Sequence, residues 1–569
     1  MSVIATAAPL ENGHPRKWWI LAAVSLGMFM ALLDATIVNI AIPSILTDLN
    51  TTISKVSWVL NAYNLAMVAL FLSMGRLADR YGQKLLFIGG LVLFTVFSLA
   101  CGFAPNIEWL IVFRVFQGVG GAAMAPISLS ILLGAFPMRQ HGLAVGLWGG
   151  LGAVAAAMGP SLGGVLVEYA HWSWIFFINV PIGVIALVMA VLIVPEHRAV
   201  KHGSLDIPAI FISASGLFCL TLALVEGNSW GWTSAAIVAL FVVAVAALPV
   251  FFLWESRVKS PMFDLRLLRI QSFTSANTAT MLISTCMGGS LFLLVIFLQS
   301  ILGYRPLNAA LAITPMPLVG LILAPIVGRV VDHVGPRIPA AIGTLFFAAG
   351  MLLLAQLDAS STLADTTWRV ILLGFGVGFG MPTLAAASMS SLPPQAGGVG
   401  SGSLATFRQM GFVLGVAILT AIFTHTAVTA VQTATRQSVA YVQAQPAIPA
   451  LEKAIIAGKL RAVAAGAVNG AGNPQDRLKS QISGIPQAPA GSAAAAEQKK
   501  VTTQVRAFYK DALGGAFAWP FYAAAIAAFL ALPFALLSGR RLGQFAGAFE
   551  GDAGPPSGPP GRAEAEEAS

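Results

Sequence analysis

The first long apolar run of the sequence, Trp18–Ile40, carries a carboxylate, Asp34, well inside it. A run of this length is long enough to cross a bilayer as a helix. An acid near the centre of such a helix costs roughly 2.5–3.5 kcal/mol on insertion scales. A chain that keeps this residue pairs it, hydrates it, or protonates and deprotonates it. We take the protonation cycle as the working hypothesis.

Composition places the whole chain in the membrane class. It is 57% hydrophobic and 10% charged with a mean hydropathy of +0.81, whereas a globular protein carries roughly 25% charged residues. The net charge of +9 therefore does not indicate a nucleic-acid partner. Cys101, Cys219 and Cys286 lie in apolar runs without metal-ligand spacing, and the chain has no phosphate-binding Gly-x-x-x-x-Gly-Lys-Ser/Thr loop. We expect no enzyme activity, no cofactor and no metal.

Fourteen runs of about 20 apolar residues each predict a membrane-spanning helix. They begin near Trp18, Val56, Leu85, Glu108, Gly142, Trp174, Ile207, Ser234, Phe273, Leu307, Ile338, Trp368, Ser403 and Leu513. One alternate set of short loops holds sixteen lysines and arginines, and the opposite set holds three. Because short cytoplasmic loops carry the excess positive charge, we predict a plasma-membrane protein with both termini in the cytoplasm.

An internal repeat indicates a duplication. The segment Gly75–Lys84 after span 2 and the segment Gly328–Arg337 after span 10 share Gly, Arg, Asp, Gly and a final basic residue at identical offsets. Repeats in corresponding positions are typical of transporters. Because the repeats are eight spans apart, two spans are inserted between two six-span halves.

This organisation predicts five regions along the chain. They are a cytoplasmic tail (1–17), an N-terminal six-helix bundle (18–194), two inserted helices with flanking cytoplasmic loops (195–272), a C-terminal six-helix bundle (273–537) and a disordered cytoplasmic tail (538–569). Residues 428–511, rich in Ala, Gln, Gly and Pro, are interpreted as a long extracytoplasmic loop that forms a partly disordered spacer.

These features resemble the major facilitator superfamily, specifically its fourteen-span drug:proton antiporter branch. The resemblance covers spans 1 to 14 and rests on the segments Gly75–Lys84, Leu110–Gly121, Gly159–Gly164, Asp34–Asn39 and Trp172–Pro181. It implies an all-α polytopic membrane protein with two six-helix bundles plus two inserted helices, fourteen transmembrane helices in all. One departure is Ala155, where the family usually has an earlier glycine.

The resemblance also implies roles for two motifs. In the family, the loop that matches Gly75, Asp79, Arg80, Gly82 and Lys84 is associated with closing the cytoplasmic side. The motif that matches Gly159, Pro160, Gly163 and Gly164 is associated with export. From the residues alone, the loop charges are either topogenic or part of a gate, and the repeat favours the gate. The small residues of span 5 allow close packing, and Pro160 can kink its helix.

Helix geometry places Asp34 and Arg114 at similar depth. Asp34 lies roughly 13 Å, and Arg114 roughly 10 Å, from the predicted outer face at 1.5 Å per residue. Two interpretations are open: a static ion pair that joins two helices, or a proton switch. A nearby arginine favours the ionised carboxylate, and burial without it favours the neutral acid. We favour the switch because ionisable residues inside a membrane are usually functional.

Further polar residues are candidates for the lining of a substrate cavity: Asn39, Asn61, Gln117, Arg408 and Gln409. Arg408 and Gln409 open span 13 near the cytoplasm, where they either line the entrance or snorkel to the interface. Glu168 and Glu226 lie at predicted outer helix ends and are interpreted as solvated boundary charges.

Acids are missing from much of the second half. None lies between Asp264 and Asp332 or between Asp365 and Glu452. Relatives that export divalent cations carry extra carboxylates in spans 10 and 13. The resemblance therefore implies substrates that are lipophilic and neutral or monovalent.

The sequence thus predicts a proton-coupled exporter of amphipathic compounds, such as drugs or an endogenous antibiotic, that works by alternating access. Its expected partners are the small lipophilic substrate, protons and the lipid bilayer. The protein is expected to function as a monomer. The sequence does not identify an accessory partner in the cell envelope. Two alternatives stay open: an exporter or flippase of a lipid or envelope metabolite, and an uncoupled membrane sensor or channel. An uptake symporter has the same architecture, and the span-5 motif argues against it.

Overall fold

The computed structural model describes residues 13–51, 53–196, 206–258, 261–392, 396–446, 448–468 and 493–539. Within these residues the regular structure is entirely helical. The predicted tails fall almost wholly outside the described residues. In this described part of the chain, thirteen helices are long and apolar enough to cross a membrane, and they coincide with thirteen of the fourteen predicted spans. The fifth predicted span is a 29-residue helix that is not among the thirteen, so its crossing stays a prediction.

The N-terminal half contains five long helices and a sixth that is built from two pieces. They are α1 (Lys17–Asp48), α2 (Ile53–Tyr81), α3 (Gln83–Gly102), α4 (Ile107–Ala135), α5 (His141–Tyr169), α6 (Trp174–Phe177) and α7 (Asn179–Ile193). The restart at α7 has a local reason. Pro181 is the third residue of α7, and the first turn of a helix tolerates proline because its N–H groups have no partner inside the helix.

The two inserted helices form a hairpin, α8 (Ile207–Trp230) and α9 (Ala235–Glu255). Asp206 caps α8 by accepting from the backbone N–H of Ala209, and Ser234 caps α9 in the same way. The two helices pack on each other, and α8 also packs on α2 and, less extensively, on α15 of the C-terminal half. The insertion therefore lies beside the N-terminal half.

The C-terminal half is built from α10 (Gln271–Ile296), which continues as a π-helical turn over Phe297–Ile301, and from the helices that follow. These are α11 (Pro306–Ile313), α12 (Pro315–Val334), α13 (Arg337–Leu354), α14 (Leu363–Ser390), α15 (Gly397–Ala444), α16 (Ala450–Val468), α17 (Ala493–Ala516) and α18 (Ala518–Leu537).

Packing follows the predicted duplication. In the first half α1 packs on α5 and α2 on α4, and in the second half α10 packs on α15 and α12 on α14. Across the halves, α5 packs on α12 and α15 packs on α2. Each half also has its own apolar core. The seam between the halves is therefore made by two equivalent helix pairs.

The two sides of the bundle are distinguished by contacts at helix ends. We call the side where α1 begins the proximal side and the opposite side the distal side. Lys17, at the start of α1, donates to Gln140 just before α5. At the other end of the chain, Gly539 lies against Pro336, in the turn between α12 and α13. Both ends of the described chain therefore lie on the proximal side, which the sequence predicts to be cytoplasmic.

The distal segment 428–511, interpreted from the sequence as a partly disordered spacer, is largely helical in the parts that the structure describes. The helix α15 runs for 48 residues, or about 72 Å at 1.5 Å per residue, which exceeds a hydrocarbon core of about 30 Å. Its end packs with α16 and α17 around a shared apolar core. The described part of this segment is helical, because buried residues such as Val431, Leu460 and Val505 recur on facing sides of the three helices.

Candidate functional site

The predicted pair Asp34 and Arg114 forms a buried ion pair between α1 and α4. Both side chains are 0% exposed. Arg114 Nη1 donates to Asp34 Oδ2, and Arg114 Nε donates to the backbone oxygen of Val59 in α2 at 3.0 Å. The guanidinium therefore joins three helices. The two residues that helix geometry places at similar depth are in direct contact.

Two amide side chains donate to the second carboxylate oxygen. Gln117 Nε2 lies 2.9 Å from Asp34 Oδ1, and Asn179 Nδ2 lies 3.2 Å from the same atom. Arg114 Nη1 also donates to Gln117 Oε1 at 2.8 Å, and Asn179 Nδ2 lies 3.1 Å from Ser98 Oγ. Hydrogen bonds to an ionised group are stronger than neutral ones. The ionised form of Asp34 therefore has partners on both oxygens.

Aromatic rings enclose the cation of this cluster. The guanidinium carbon of Arg114 lies 4.1 Å from the ring centroid of Tyr63 and 5.8 Å from that of Phe176. A cation over a ring face is attracted by the ring quadrupole. The Tyr63 ring is fixed by its hydroxyl, which donates to the backbone oxygen of Ala31 at 3.1 Å. The rings thus separate the ion pair from water.

Two polar atoms of the cluster have no hydrogen-bond partner among the described residues: Arg114 Nη2 and Asn179 Oδ1. Leaving such an atom buried costs about 1–3 kcal/mol. A protonated Asp34 carries an O–H donor, and Asn179 offers a free acceptor in the same cluster. The cluster therefore keeps one unused donor, on Arg114, and one unused acceptor, on Asn179.

Asn179 and Ser98 were absent from the predicted site residues. Asn179 stands in the segment Trp172–Pro181 that supported the family resemblance, and it is an isolated amide in an apolar run. The break before α7 brings its side chain into the core, where it is 0% exposed. Gln117, predicted to line a cavity, belongs instead to the closed cluster around Asp34.

The other two predicted amides lie elsewhere. Asn39 is exposed, and its side chain donates to the backbone of its own helix. Asn61 Nδ2 lies 3.1 Å from Glu226 Oε1 and so joins α2 to the inserted α8. Glu226 is only 6% exposed. Its interpretation as a solvated boundary charge is wrong, because α2 covers it, whereas Glu168 is exposed.

The predicted gating loop forms a helix cap across the seam. Asp79 Oδ1 accepts from the backbone N–H of Gly398 and Asp79 Oδ2 from that of Val399, both at 2.8 Å. These are free donors at the N-terminus of α15, where the helix dipole favours a negative charge. Gly75 lies against the backbone of Gly398, and a Cβ on either residue would overlap the other. Asp79 therefore fastens α2 to α15 on the proximal side.

The repeat forms the same cap at the other helix pair. Asp332 Oδ1 accepts from the backbone N–H of Gly142 at 2.8 Å, and Asp332 Oδ2 accepts from that of Leu143 at 3.2 Å. Gly328 lies against Gly142, again with no room for a Cβ. The matched offsets in the sequence therefore correspond to two equivalent closures, one on each side of the seam.

The last glycine of each repeat adopts a backbone conformation that favours glycine. Gly82 has a φ of 109° and Gly335 a φ of 84°, a left-handed region that favours glycine. These residues turn the chain from α2 into α3 and from α12 into α13.

Among the loop cations, Lys84 donates to the backbone oxygen of Val191 at 2.9 Å. Arg80 lies over the ring of Tyr81.

An apolar seal lies next to the two caps. Met67 and Phe71 of α2 belong to one buried cluster with Ala385 and Met389 of α14 and Leu404 of α15. This cluster crosses the seam between the halves. Together with the caps of Asp79 and Asp332, it closes the proximal side in this structure.

The span-5 motif places α5 against α1 beside Asp34. Gly159 meets the side chain of Thr36, and a Cβ on Gly163 would lie 2.9 Å from Ile37 Cγ1. Gly164, by contrast, faces open space within 4 Å. The helix is continuous through Pro160, whose side chain lies outside the described part. The motif therefore controls the α1–α5 contact two residues from the ion pair.

Arg408 and Gln409 lie deeper than predicted. Because α15 begins at Gly397, Arg408 follows its start by eleven residues, or about 17 Å. Both residues are part-exposed. The expectation that they open the helix near the cytoplasm is wrong, because the chain is already helical beside Asp79.

The comparisons with known proteins agree on one family. The family model of the Major Facilitator Superfamily matches residues 24–416. The chain is 34% identical over 412 residues to the tetracenomycin C resistance and export protein of Streptomyces glaucescens, covering 72% of this chain and 77% of that protein. It is 31% identical over 413 residues to the multidrug transporter protein MdtP of Bacillus subtilis, covering 72% and 76%.

A solved structure shares the fold at low sequence identity. The crystal structure of the human organic anion transporter MFSD10 superposes with a TM-score of 0.53 at 13% identity, covering 72% of this chain and 94% of that one. This likeness concerns the arrangement of helices alone.

Proposed function

Because the chain belongs to the Major Facilitator Superfamily and is a multi-span membrane transporter, we propose that it is a proton-coupled exporter working by alternating access. Its proposed cargo is amphipathic and neutral or monovalent, such as a drug or an antibiotic. The names of the two relatives support this class, since one exports tetracenomycin C and the other is a multidrug transporter. The proton is the coupling ion, and no cofactor takes part.

The observation that carries the proposal is the closed cluster around Asp34. The carboxyl of Asp34 is fully buried and accepts hydrogen bonds from Arg114 and two amides. We propose that Arg114 leaves this carboxyl during the cycle and that Asp34 takes up the coupling proton in that state. Any motion between α1 and α4 thus converts helix geometry into proton affinity.

The proton gradient provides enough free energy for such a cycle. One proton that enters down 100 mV yields roughly 2.3 kcal/mol, and a tenfold concentration ratio requires about 1.4 kcal/mol. A single proton per cycle therefore sustains a ratio of a few tens for a neutral substrate.

We propose that the two aspartate caps are part of the gate on the proximal side. With Asp79 and Asp332 in place, the proximal side is closed at both helix pairs of the seam. Breaking the two caps and the apolar seal would let the halves separate there. We propose that the proximal side is cytoplasmic, that the protein lies in the plasma membrane with both termini inside, and that one chain is the working unit.

Transport in everted vesicles tests the coupling. The neutral dye N-phenyl-1-naphthylamine should accumulate in vesicles that contain the protein, and a protonophore should collapse that accumulation. Asp34→Asn at matched expression should abolish uphill accumulation while dye binding survives. Glu168→Gln, the same change at an exposed position, is the control and should transport normally. Undiminished uphill transport by Asp34→Asn contradicts the assignment of the coupling site.

The distal helical segment favours one second candidate, an exporter or flippase of a lipid or envelope metabolite. The extension of α15 with α16 and α17 places an ordered helical body beyond the span, where an envelope component would leave the protein. A deletion strain separates the two functions: changed drug susceptibility with unchanged envelope lipids supports drug export, and the reverse supports the lipid function.

A further inference from the structure

Arg408 lies on α15, a helix that packs on α2 across the seam between the halves. Successive helical residues are rotated by about 100°, so the position of Arg408 falls between two contact faces of α15. One face carries Gly411 and Gly415, which lie against the backbone of α10, and the other carries Gly402, which lies against Phe71 of α2. Arg408 therefore lies between the α10 and α2 contacts of its helix.

The exposure of α15 changes directly before Arg408. Every residue from Gly398 to Thr406 is buried, and each residue from Phe407 to Met410 is part-exposed. Leu404, a member of the proximal seal, precedes Arg408 by four residues, or about 6 Å along the helix. Arg408 is thus the first charged residue of α15 above the seal, and its side chain is part-exposed.

No carboxylate neutralises this arginine. Among the described residues it has neither a hydrogen bond nor an ion pair. The sequence has no acid between Asp264 and Asp332 or between Asp365 and Glu452. The acids nearest the seam are used elsewhere, since Asp34 pairs with Arg114 and Asp332 caps α5.

An arginine so placed keeps its charge and has five N–H donors in a planar fork that matches a two-oxygen anion. Because an isolated charge in a low-dielectric interior is costly, an anion that reaches Arg408 gains both charge neutralisation and hydrogen bonds. The neighbouring seal supplies apolar side chains, among them Met67 and Phe71, for the body of an amphipathic molecule.

We propose that Arg408 binds the anionic group of the transported substrate, so that the preferred cargo is an amphipathic monoanion carrying a carboxylate, phenolate or sulfonate. This inference rests on the proposed export function and specifies its substrate class. The charge-assisted contact holds the anion, and the apolar seal holds the rest of the molecule.

The proposal has an electrical consequence. If one monoanion leaves for each proton that enters, two elementary charges move inward per cycle, against one for a neutral substrate and none for a monocation. Each charge moved across 100 mV changes the attainable accumulation ratio by about 50-fold. Anion export should therefore depend on membrane potential more steeply than export of a neutral molecule.

A pair of dyes that differ in one group tests the binding. 8-Anilinonaphthalene-1-sulfonate carries a sulfonate on the same ring system as neutral N-phenyl-1-naphthylamine. With purified protein in nanodiscs, corrected against empty discs, Arg408→Gln should weaken binding of the anionic dye at least about tenfold, since a hydrogen bond to a charged group is worth that much. The neutral dye should change by less than about twofold. Arg408→Lys should retain part of the anionic affinity.

The control is Arg436→Gln, which removes a charge from the exposed distal part of the same helix and should leave both affinities unchanged. Equal losses for both dyes in Arg408→Gln, or no loss for the anionic dye, would overturn the proposal. Unchanged neutral-dye binding shows that the variant is folded.

Transport in everted vesicles separates this inference from the proposed function. Steeper dependence on an imposed potential for the anionic dye than for the neutral dye supports anion export, and equal dependence contradicts it. A protonophore that leaves efflux of both dyes intact contradicts proton coupling instead, while the binding result at Arg408 stands by itself.

Discussion

Two arginines deep in the molecule, Arg114 in α4 and Arg408 in α15, have opposite surroundings. Arg114 is 0% exposed, pairs with Asp34, and donates to Gln117 and to the backbone of Val59. Arg408 is part-exposed and has no such partner in the described chain. The two halves therefore share the arrangement of their helices but differ in the partners of their interior arginines. In one half the cation is neutralised within the fold, and in the other its charge remains available to a ligand.

In contrast to the two arginines, the aspartate caps at the two helix pairs of the seam are nearly identical. Asp79 caps α15 and Asp332 caps α5, each through two backbone N–H groups and beside a pair of touching glycines. Duplication thus preserved the closing device while the interior residues diverged. The two halves therefore match in their caps and differ in the partners of their interior arginines.

The largest effect should come from truncating the paired arginine. Arg114→Ala removes the ion pair and leaves the buried Asp34 carboxyl with only amide partners, and breaking a buried pair typically costs 3–5 kcal/mol. Thermal unfolding in detergent should therefore show a loss of about that size. Arg408→Ala is the matched change without a broken pair, so stability should be unchanged or raised. Similar losses in both variants would mean that Arg408 has a structural partner after all.

The next largest effect should come from adding a methyl group to one of the glycines that touch across the seam. Gly398→Ala places a Cβ against the backbone of Gly75 and against Asp79, and overpacking typically costs 1–3 kcal/mol. A cost of about 2 kcal/mol on the closed state raises the open fraction about 30-fold. Labelling of Leu404→Cys, a seal residue, by an impermeant maleimide from the proximal side should rise accordingly.

Gly142→Ala should match Gly398→Ala in this labelling, because the second gate has the same contact with Gly328. Gly149→Ala is the control on α5, since nothing lies within 4 Å of the added Cβ. If only one of the two gate variants changes the labelling, the gates are not equivalent in the closing motion.

Removing charge from the caps should have a smaller effect. Asparagine retains one acceptor oxygen and is itself a good helix cap, but its NH2 group cannot accept a hydrogen bond. Asp79→Asn and Asp332→Asn therefore each lose one of the two backbone hydrogen bonds and the charge that the helix dipole attracts, together about 1 kcal/mol each. Each variant should raise maleimide labelling of Leu404→Cys about fivefold. The double variant should combine both factors. A large effect of one variant and none of the other would break the symmetry of the gates.

Much of the fold and the ion pair followed from the sequence, because the signals are one-dimensional. Apolar runs predict spans, helix rise places Asp34 and Arg114 at one depth, and identical offsets in Gly75–Lys84 and Gly328–Arg337 predict paired loops. Partners that depend on how helices pack were not predictable. Asn179 joins the cluster only because the chain breaks before α7, and Glu226 is buried only because α2 covers it.

The start of α15 shows the same limit. A polar and glycine-rich segment before Ser403 does not look like a membrane helix by hydropathy, yet Gly398 and Gly402 are helical because they must approach α2 closely. Placing the helix start too late moved Arg408 toward the predicted cytoplasmic face. The substrate inference therefore required the structure, because depth and lack of a partner both depend on that start.

The smallest effect should come from an ion pair outside the core. Lys55 and Glu108 join α2 to α4 near the distal end with side chains 57% and 60% exposed. Water screens such pairs, which contribute about 0–1 kcal/mol, so Lys55→Gln should lower stability by no more than about 0.5 kcal/mol. The same two helices are joined by Arg114 and Val59 one to two turns deeper. Thermal unfolding of Lys55→Gln beside Arg114→Ala thus compares two contacts between one pair of helices that differ in burial. A loss at Lys55 as large as that at Arg114 would mean that the α2–α4 contact, and not the buried charge, sets the cost.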